Sequence, residues 1–126
     1  MTFLKRILLV DSEPRSAAAV RAALERTGKY LIKEEHDARC AMNAARWFRP
    51  NLILFDVMAS AAEANSTAQL FQQDTSLKET PVVFFDYKGG GENRVISSGI
   101  LSGYRFYANP VDVEEFVCCV SELLNA

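Results

Sequence analysis

Residues 52–56 read Leu-Ile-Leu-Phe-Asp, four apolar residues followed at once by a carboxylate. An unbroken apolar run of this length is typical of a strand that is buried on both faces of a parallel sheet. Residues 7–11 (Ile-Leu-Leu-Val-Asp) and residues 82–86 (Val-Val-Phe-Phe-Asp) repeat the pattern. The sequence therefore predicts three buried strands, each of which ends at an aspartate.

Helical segments alternate with these strands. Pro14 suits the first turn of a helix, and Gly28 suits its C-terminal end. Tyr30 to Ile32 forms a short strand, after which Asp37 can cap a helix that Pro50 terminates. This repeated strand–helix alternation favours parallel strand pairing.

The second half continues the alternation. A polar helix is predicted from about Glu63 to Ser76, a short helix from Val95 to Leu101, and a strand from Tyr104 to Ala108. Asp112 can cap a final helix. Five strand–helix units predict an α/β fold with a doubly wound five-stranded parallel sheet, whose sites lie at the carboxyl ends of the strands.

Length and composition bound the class of protein. The 126 residues fit one domain spanning 1–126, and 49% hydrophobic content is ordinary for a globular chain. A formal net charge of −2 gives no reason to expect nucleic acid or a membrane as a partner, so a protein or a small ligand is favoured. Three cysteines without a C-x-x-C pair and the absence of a signal-peptide pattern predict a cytoplasmic location.

The aspartates at the strand ends form the candidate site. In a doubly wound sheet the first, third and fourth strands are neighbours, so Asp11, Asp56 and Asp86 are expected to converge on one crevice. A single strand-end aspartate is more simply explained as a cap or turn residue. Three of them at the same edge favour a functional site.

The order of these pieces resembles the receiver domains of bacterial response regulators, of the chemotaxis-regulator-like kind. Residues 5–14 (Lys-Arg-Ile-Leu-Leu-Val-Asp-Ser-Glu-Pro) resemble the receiver opening, and residues 49–56 resemble the third strand with its phosphoacceptor. Pro81 to Phe85 is similar to the fourth strand, and residues 106–110 (Phe-Tyr-Ala-Asn-Pro) to the fifth strand and its turn. The likeness runs from Lys5 to Leu124 and implies a flavodoxin-like (βα)5 fold.

The resemblance also implies a chemistry. Asp56 would accept a phosphoryl group from a histidine kinase, a phosphotransfer protein or a small phosphodonor. Asp11, Asp56 and the carbonyl of Met58, with Glu13 as a further candidate, would hold Mg²⁺ through oxygen ligands. Phe106 stands at the switch position, and the output would pass to a downstream protein or a fused output domain.

Three positions depart from the family pattern. Ser12 replaces a second acid, which predicts weak Mg²⁺ binding. Asp86 stands where a Thr or Ser would hydrogen-bond the phosphoryl group, and Asn109 stands where a Lys would neutralise it. These changes favour a pseudo-receiver, which binds its partner through its folded surface without phosphate.

Two other readings stay open. One is an ordinary Mg²⁺-dependent phosphorylation switch at Asp56, and the other, more remote, is a small nucleotide- or ligand-binding enzyme of similar architecture. No enzyme activity is expected beyond self-catalysed phosphotransfer to Asp56. His36, the single histidine, is interpreted as a surface residue without a function.

Overall fold

The computed structural model describes residues 4–11, 14–56, 66, 69–85, 99–101, 104–107 and 113–125. These residues form one sheet flanked by helices. The strands are β1 (Lys5–Val10), β2 (Tyr30–Glu35), β3 (Leu52–Asp56), β4 (Val82–Phe85), β5 (Gly99–Leu101) and β6 (Tyr104–Tyr107). The helices are α1 (Pro14–Arg26), α2 (Ala38–Phe48) and α3 (Val113–Asn125), and residues 69–73 are also helical.

The sheet has the order β2-β1-β3-β4-β6-β5. All neighbouring strands pair in parallel except β5, which pairs antiparallel with β6. The doubly wound α/β architecture predicted from the sequence is present, with β1 between β2 and β3. Every carboxyl end of a parallel strand therefore lies at one edge of the sheet.

The strand count departs from the prediction. Residues 99–101 form a strand, where the sequence was interpreted as the end of a short helix from Val95 to Leu101. They pair with β6 through Leu101 and Tyr104 and through Gly99 and Phe106. The strand exists because it pairs with β6. The spacing of apolar residues does not reveal such pairing, so that spacing alone predicted a helix.

Alternating residues of the central strands build two apolar layers. On one face, Leu8, Ile53 and Phe84 pack with the alanines of α2 and with Phe71. On the other face, α1 and α3 cover residues that include Leu9 and Leu54. Burial of both faces explains why the strands read as unbroken apolar runs, and it fixes the positions of their ends.

The boundaries of α1 and α2 follow the predicted signals. The Asp37 carboxylate accepts a hydrogen bond from the Cys40 N–H at 2.7 Å, which confirms it as the N-terminal cap of α2. This hydrogen bond also lowers the pKa of Asp37. Gly28 follows α1 with φ of 70°, a conformation that glycine adopts without steric cost. None of the helices in the described ranges combines the length and apolar character that a membrane crossing requires.

The end of α2 stores local strain at Arg49. Its φ of 53° lies in the left-handed region, and its N–H donates to the Ala45 carbonyl at 3.0 Å. The Arg6 Nε of β1 donates to the carbonyls of Phe48 and Arg49, each at 2.9 Å. These bonds join the helix end to the sheet and hold Arg49 in a conformation that favours glycine.

Replacing Arg49 with glycine is expected to stabilise the protein by about 0.5 kcal/mol. The gain from relieving the left-handed backbone exceeds the entropy that glycine adds to the unfolded chain. Urea unfolding would measure the change, with Arg49→Ala as the control because alanine removes the same side chain but retains the strain. Equal stability of the glycine and alanine variants would contradict the explanation.

Candidate functional site

The ends of β1, β3 and β4 lie side by side. Val10 pairs with Phe55, and Asp56 pairs with Phe85. Asp11 follows Val10 directly, so its backbone continues β1 next to the end of β3. This places the backbones of Asp11 and Asp56 at the same edge of the sheet, where sites in doubly wound folds occur.

The structure describes only part of the predicted phosphorylation site. Asp56 is the last residue of β3, and Phe106 lies in β6 between Phe84 and Gly99. The remaining predicted residues lie outside the described ranges, and their roles stay predictions: Ser12, Glu13, Met58, Asp86 and Asn109.

Asp11 is the buried charged residue of the described core, with no solvent exposure. Its N–H donates to the Glu35 carbonyl of β2 at 2.9 Å, which fixes its backbone. Neither of its carboxylate oxygens accepts a hydrogen bond from the residues that the structure describes. A buried carboxylate without donors is costly, so this group requires a proton or a cation.

Two side chains from the end of β2 face this carboxylate. The His36 Nδ1 lies 3.6 Å from the Asp11 Oδ1 and 3.2 Å from the Asp11 main-chain oxygen. The same Nδ1 lies 3.8 Å from the Glu34 Oε2. Ligand atoms of Asp11, Glu34 and His36 all lie within 4.8 Å of one another, so the three residues form a single cluster.

The cluster shifts the protonation of Asp11. Burial, and after it the negative charge of Glu34, raise the pKa of its carboxyl from 3.8 to about 6, whereas His36 opposes the rise. Desolvation is the dominant cause, because a charge removed from water is destabilised. Near neutral pH the Asp11 carboxylate is therefore an anion destabilised by desolvation, and a cation would stabilise it.

Arg21 of α1 positions Glu34. Its Nη1 donates to the Glu34 Oε1 at 2.7 Å, and its Nε donates to the Glu25 Oε1 at 3.1 Å. The bond to Glu34 is the main reason why the pKa of Arg21 is raised. Arg21 thus occupies one oxygen of Glu34 and leaves the other, Oε2, directed at His36.

Solved structures share this fold. The receiver domain of a sensor histidine kinase from Pseudomonas aeruginosa, solved with a magnesium ion in its active-site cleft, aligns with a TM-score of 0.77 at 19% identity. That alignment covers 98% of this chain and all of the other. A response-regulator receiver domain protein from Methanospirillum hungatei aligns with a TM-score of 0.75 at 22% identity, over 98% and 95% of the two chains. Likeness at this identity establishes the fold.

Curated relatives extend the likeness from the fold to the sequence. No family model matches the chain. The response regulator Rre1 of Synechocystis is 29% identical over 119 residues, which are 94% of this chain and 51% of Rre1. The protein PilH of Pseudomonas aeruginosa is 26% identical over 120 residues, or 94% of this chain and 97% of PilH. Over nearly its whole length the chain is thus similar in sequence to a response regulator and to PilH, and it shares the fold of receiver domains.

The match to each relative covers 94% of this chain. The chain spans about half the length of Rre1 and nearly all of PilH. The resemblance inferred from the strand-end motifs is confirmed.

The sequence interpretation missed His36 and Glu34. His36 was set aside because it lies far along the chain from any acid cluster, yet in space it touches Asp11, 25 residues away. A signal was present: Glu34 and His36 flank the end of the strand beside β1, and alternate residues of a strand share a face. Strand order within the receiver fold, rather than sequence distance, would have identified them.

Proposed function

We propose that this receiver domain acts in two-component signalling mainly as a pseudo-receiver, whose folded surface binds a protein partner without phosphate. The observation that carries the proposal is the anionic character of the strand-end edge. Asp11 is buried there without a described hydrogen-bond donor, and Glu34 adds a second carboxylate. Arg21 pairs with Glu34, but within the described residues no donor reaches the Asp11 carboxylate, so a phosphoryl dianion at Asp56 would add negative charge near an uncompensated anion.

Sequence departures point the same way. Asp86 follows Phe85 in the sequence and stands where the family resemblance implies a Thr or Ser. Asn109 replaces the cation that the family resemblance implies. Because electrostatic stabilisation is the main contribution to phosphoryl transfer, both changes disfavour a stable adduct.

An ordinary Mg²⁺-dependent switch at Asp56 is the second candidate, and the unpaired Asp11 carboxylate favours it. A buried oxygen donor of this kind fits a hard cation. Asp11 and Asp56, with the Met58 carbonyl and Glu13, would hold the ion, although Ser12 in place of an acid predicts weak binding. When bound, Mg²⁺ would screen the acceptor carboxylate from the incoming phosphoryl group.

The partners follow from the same proposal. A histidine kinase or phosphotransfer protein is the input partner in the switch mechanism, and the receiver domain of a sensor kinase among the structural neighbours supports this class. A downstream protein or a fused output domain would receive the signal through the surface that includes β6. We propose a cytoplasmic location, one domain over residues 1–126, and no chemistry beyond self-catalysed phosphotransfer to Asp56.

Intact-protein mass spectrometry after incubation with acetyl phosphate and Mg²⁺ tests the proposal. We expect little or no mass gain of one phosphoryl group, under conditions in which a competent receiver domain is fully modified. Asp56→Asn serves as the control and should give the same spectrum as the parent. A prominent adduct that disappears in Asp56→Asn would replace the pseudo-receiver mechanism with the ordinary switch.

A further inference from the structure

We propose that Asp11, Glu34 and His36 form a binding site for a divalent transition-metal ion, Zn²⁺ being the probe of choice. This site differs from the Mg²⁺ site implied for receiver domains, because Glu34 lies in β2 and His36 directly follows that strand. The two sites share only Asp11. The inference does not rest on phosphorylation of Asp56.

Strand geometry brings the three ligands together. Leu9 pairs with Glu34, and Asp11 and His36 each directly follow the last residue of β1 and of β2. Alternate residues point to the same face of a sheet, and Leu9 faces the layer formed with α1. All three side chains thus converge on the α1 side of the sheet at its carboxyl edge.

The buried state of Asp11 is the independent sign of a ligand. Its side chain is fully buried, and within the described residues both carboxylate oxygens lack a hydrogen bond. Native proteins seldom leave such a group uncompensated, and a bound ion is one of the accepted explanations. The side chain of His36, by contrast, is 53% exposed, which gives an ion a path of entry.

The donor set determines the class of ion. One imidazole nitrogen and two carboxylates suit Zn²⁺ and related first-row ions, whereas Mg²⁺ prefers oxygen donors alone. Tetrahedral zinc with bonds of about 2.0–2.1 Å separates its ligand atoms by roughly 3.3 Å. The His36 Nδ1 is now 3.6 Å from the Asp11 Oδ1 and 3.8 Å from the Glu34 Oε2, so these two separations need to contract by only a few tenths of an ångström, and all three ligand atoms lie within 4.8 Å of one another.

Arg21 prepares one of these ligands. Its ion pair with the Glu34 Oε1 leaves Oε2 toward the cluster, which is how a supporting partner orients a metal-binding carboxylate. The pair also restrains Glu34 before any ion arrives. Water or substrate oxygens would complete the coordination of the three protein ligands.

Isothermal titration of the chelator-treated full chain with Zn²⁺ tests the assignment. The measurement uses a background in which Cys40, Cys118 and Cys119 are replaced by serine, since thiolates also bind zinc. We expect one zinc ion per chain, with shifted NMR signals of the single imidazole. His36→Gln and Glu34→Gln should each weaken binding by about tenfold or more.

Two matched variants sharpen the result. Glu25→Gln removes the same charge as Glu34→Gln from the other carboxylate that contacts Arg21, and it should leave zinc binding nearly unchanged. Asp56→Asn should also retain zinc binding, which separates this site from the phosphorylation proposal. Circular dichroism would verify that each variant is folded.

Several outcomes would overturn the site. These are no saturable zinc binding, unchanged affinity in either His36→Gln or Glu34→Gln, or loss of binding in Glu25→Gln or Asp56→Asn. A Mg²⁺ affinity that falls as much as the zinc affinity in His36→Gln would also overturn it, because the imidazole would then serve the magnesium site.

Discussion

The double variant Asp86→Thr/Asn109→Lys is expected to form a phosphoryl or beryllofluoride adduct on Asp56 with a yield at least about tenfold above that of the parent chain. Tenfold corresponds to about 1.4 kcal/mol, a modest demand on two changes that remove an anion and add a cation beside a dianion. The threonine would also supply a hydrogen-bond donor that an ionised aspartate lacks. Intact-protein mass spectrometry measures the yield and lifetime of the adduct.

We expect the higher adduct yield to result from the changed charge at the site and not from the changed net charge of the protein. The control Glu79→Thr/Asn43→Lys makes the same change in net charge at two exposed positions and should leave the yield unchanged. Adding Asp56→Asn to the double variant should abolish the adduct. Amide resonances of β6 around Phe106 should shift with phosphorylation only in the variant that forms it. A parent chain that already forms the adduct readily would contradict the whole explanation.

The Asp11→Asn variant is expected to be more stable than the parent by about 2–3 kcal/mol at pH 8 in the presence of a chelator. The pKa of Asp11 is about 6 in the folded protein against an ordinary 3.8, and this difference corresponds to about 3 kcal/mol. Above pH 6 the folded parent bears this cost in full. Burying the amide of the variant also costs free energy, which reduces the expected gain in stability.

Asp11 is expected to destabilise the folded parent only as the pH rises. Below pH 3.8 the carboxyl is protonated in both the folded and the unfolded chain, so Asp11 contributes no destabilisation. As the pH rises from about 4 to 6, the unfolded chain releases the proton first, and the parent loses stability relative to the variant. Urea unfolding of both proteins from pH 4 to pH 8 measures this difference.

Glu34→Gln is the companion variant for this measurement. The charge of Glu34 raises the pKa of Asp11, so its removal should move the transition to lower pH and reduce its size. A stability difference between Asp11→Asn and the parent that does not vary with pH would show that Asp11 is not the titrating group.

The fold was largely predictable because the central strands are buried on both faces, and such strands have a recognisable sequence pattern. Residues 52–55 pack into layers on both sides of the sheet, and only a continuous apolar run satisfies both. Asp37 was recognisable as a cap because its role depends on an N–H only three residues away. β5 was not recognisable by periodicity, since it exists through pairing with β6. Ser102-Gly103 between the two strands has the length and composition of a hairpin turn and was the signal to use.

The site was less predictable for a different reason. Asp11 and Asp56 could be placed together because each ends a strand, and strand ends meet at one edge. The contact of His36 with Asp11 depends on the parallel register between β1 and β2. The residues next to Asp11 and His36 in the sequence do not indicate that register. The roles of Asp86 and Asn109 rest on family resemblance and await the variants above.

The position of β2 has a consequence for solubility. In the described part of the chain this strand pairs with β1 alone, which leaves its outer backbone groups available to extend a sheet into a second molecule. Leu31 on the same strand is half exposed and would favour such stacking. The consecutive charges Lys33, Glu34 and Glu35 oppose it, since another copy would have to desolvate them. Neutralising Glu34 is therefore expected to weaken the protection of the outer strand β2 against aggregation.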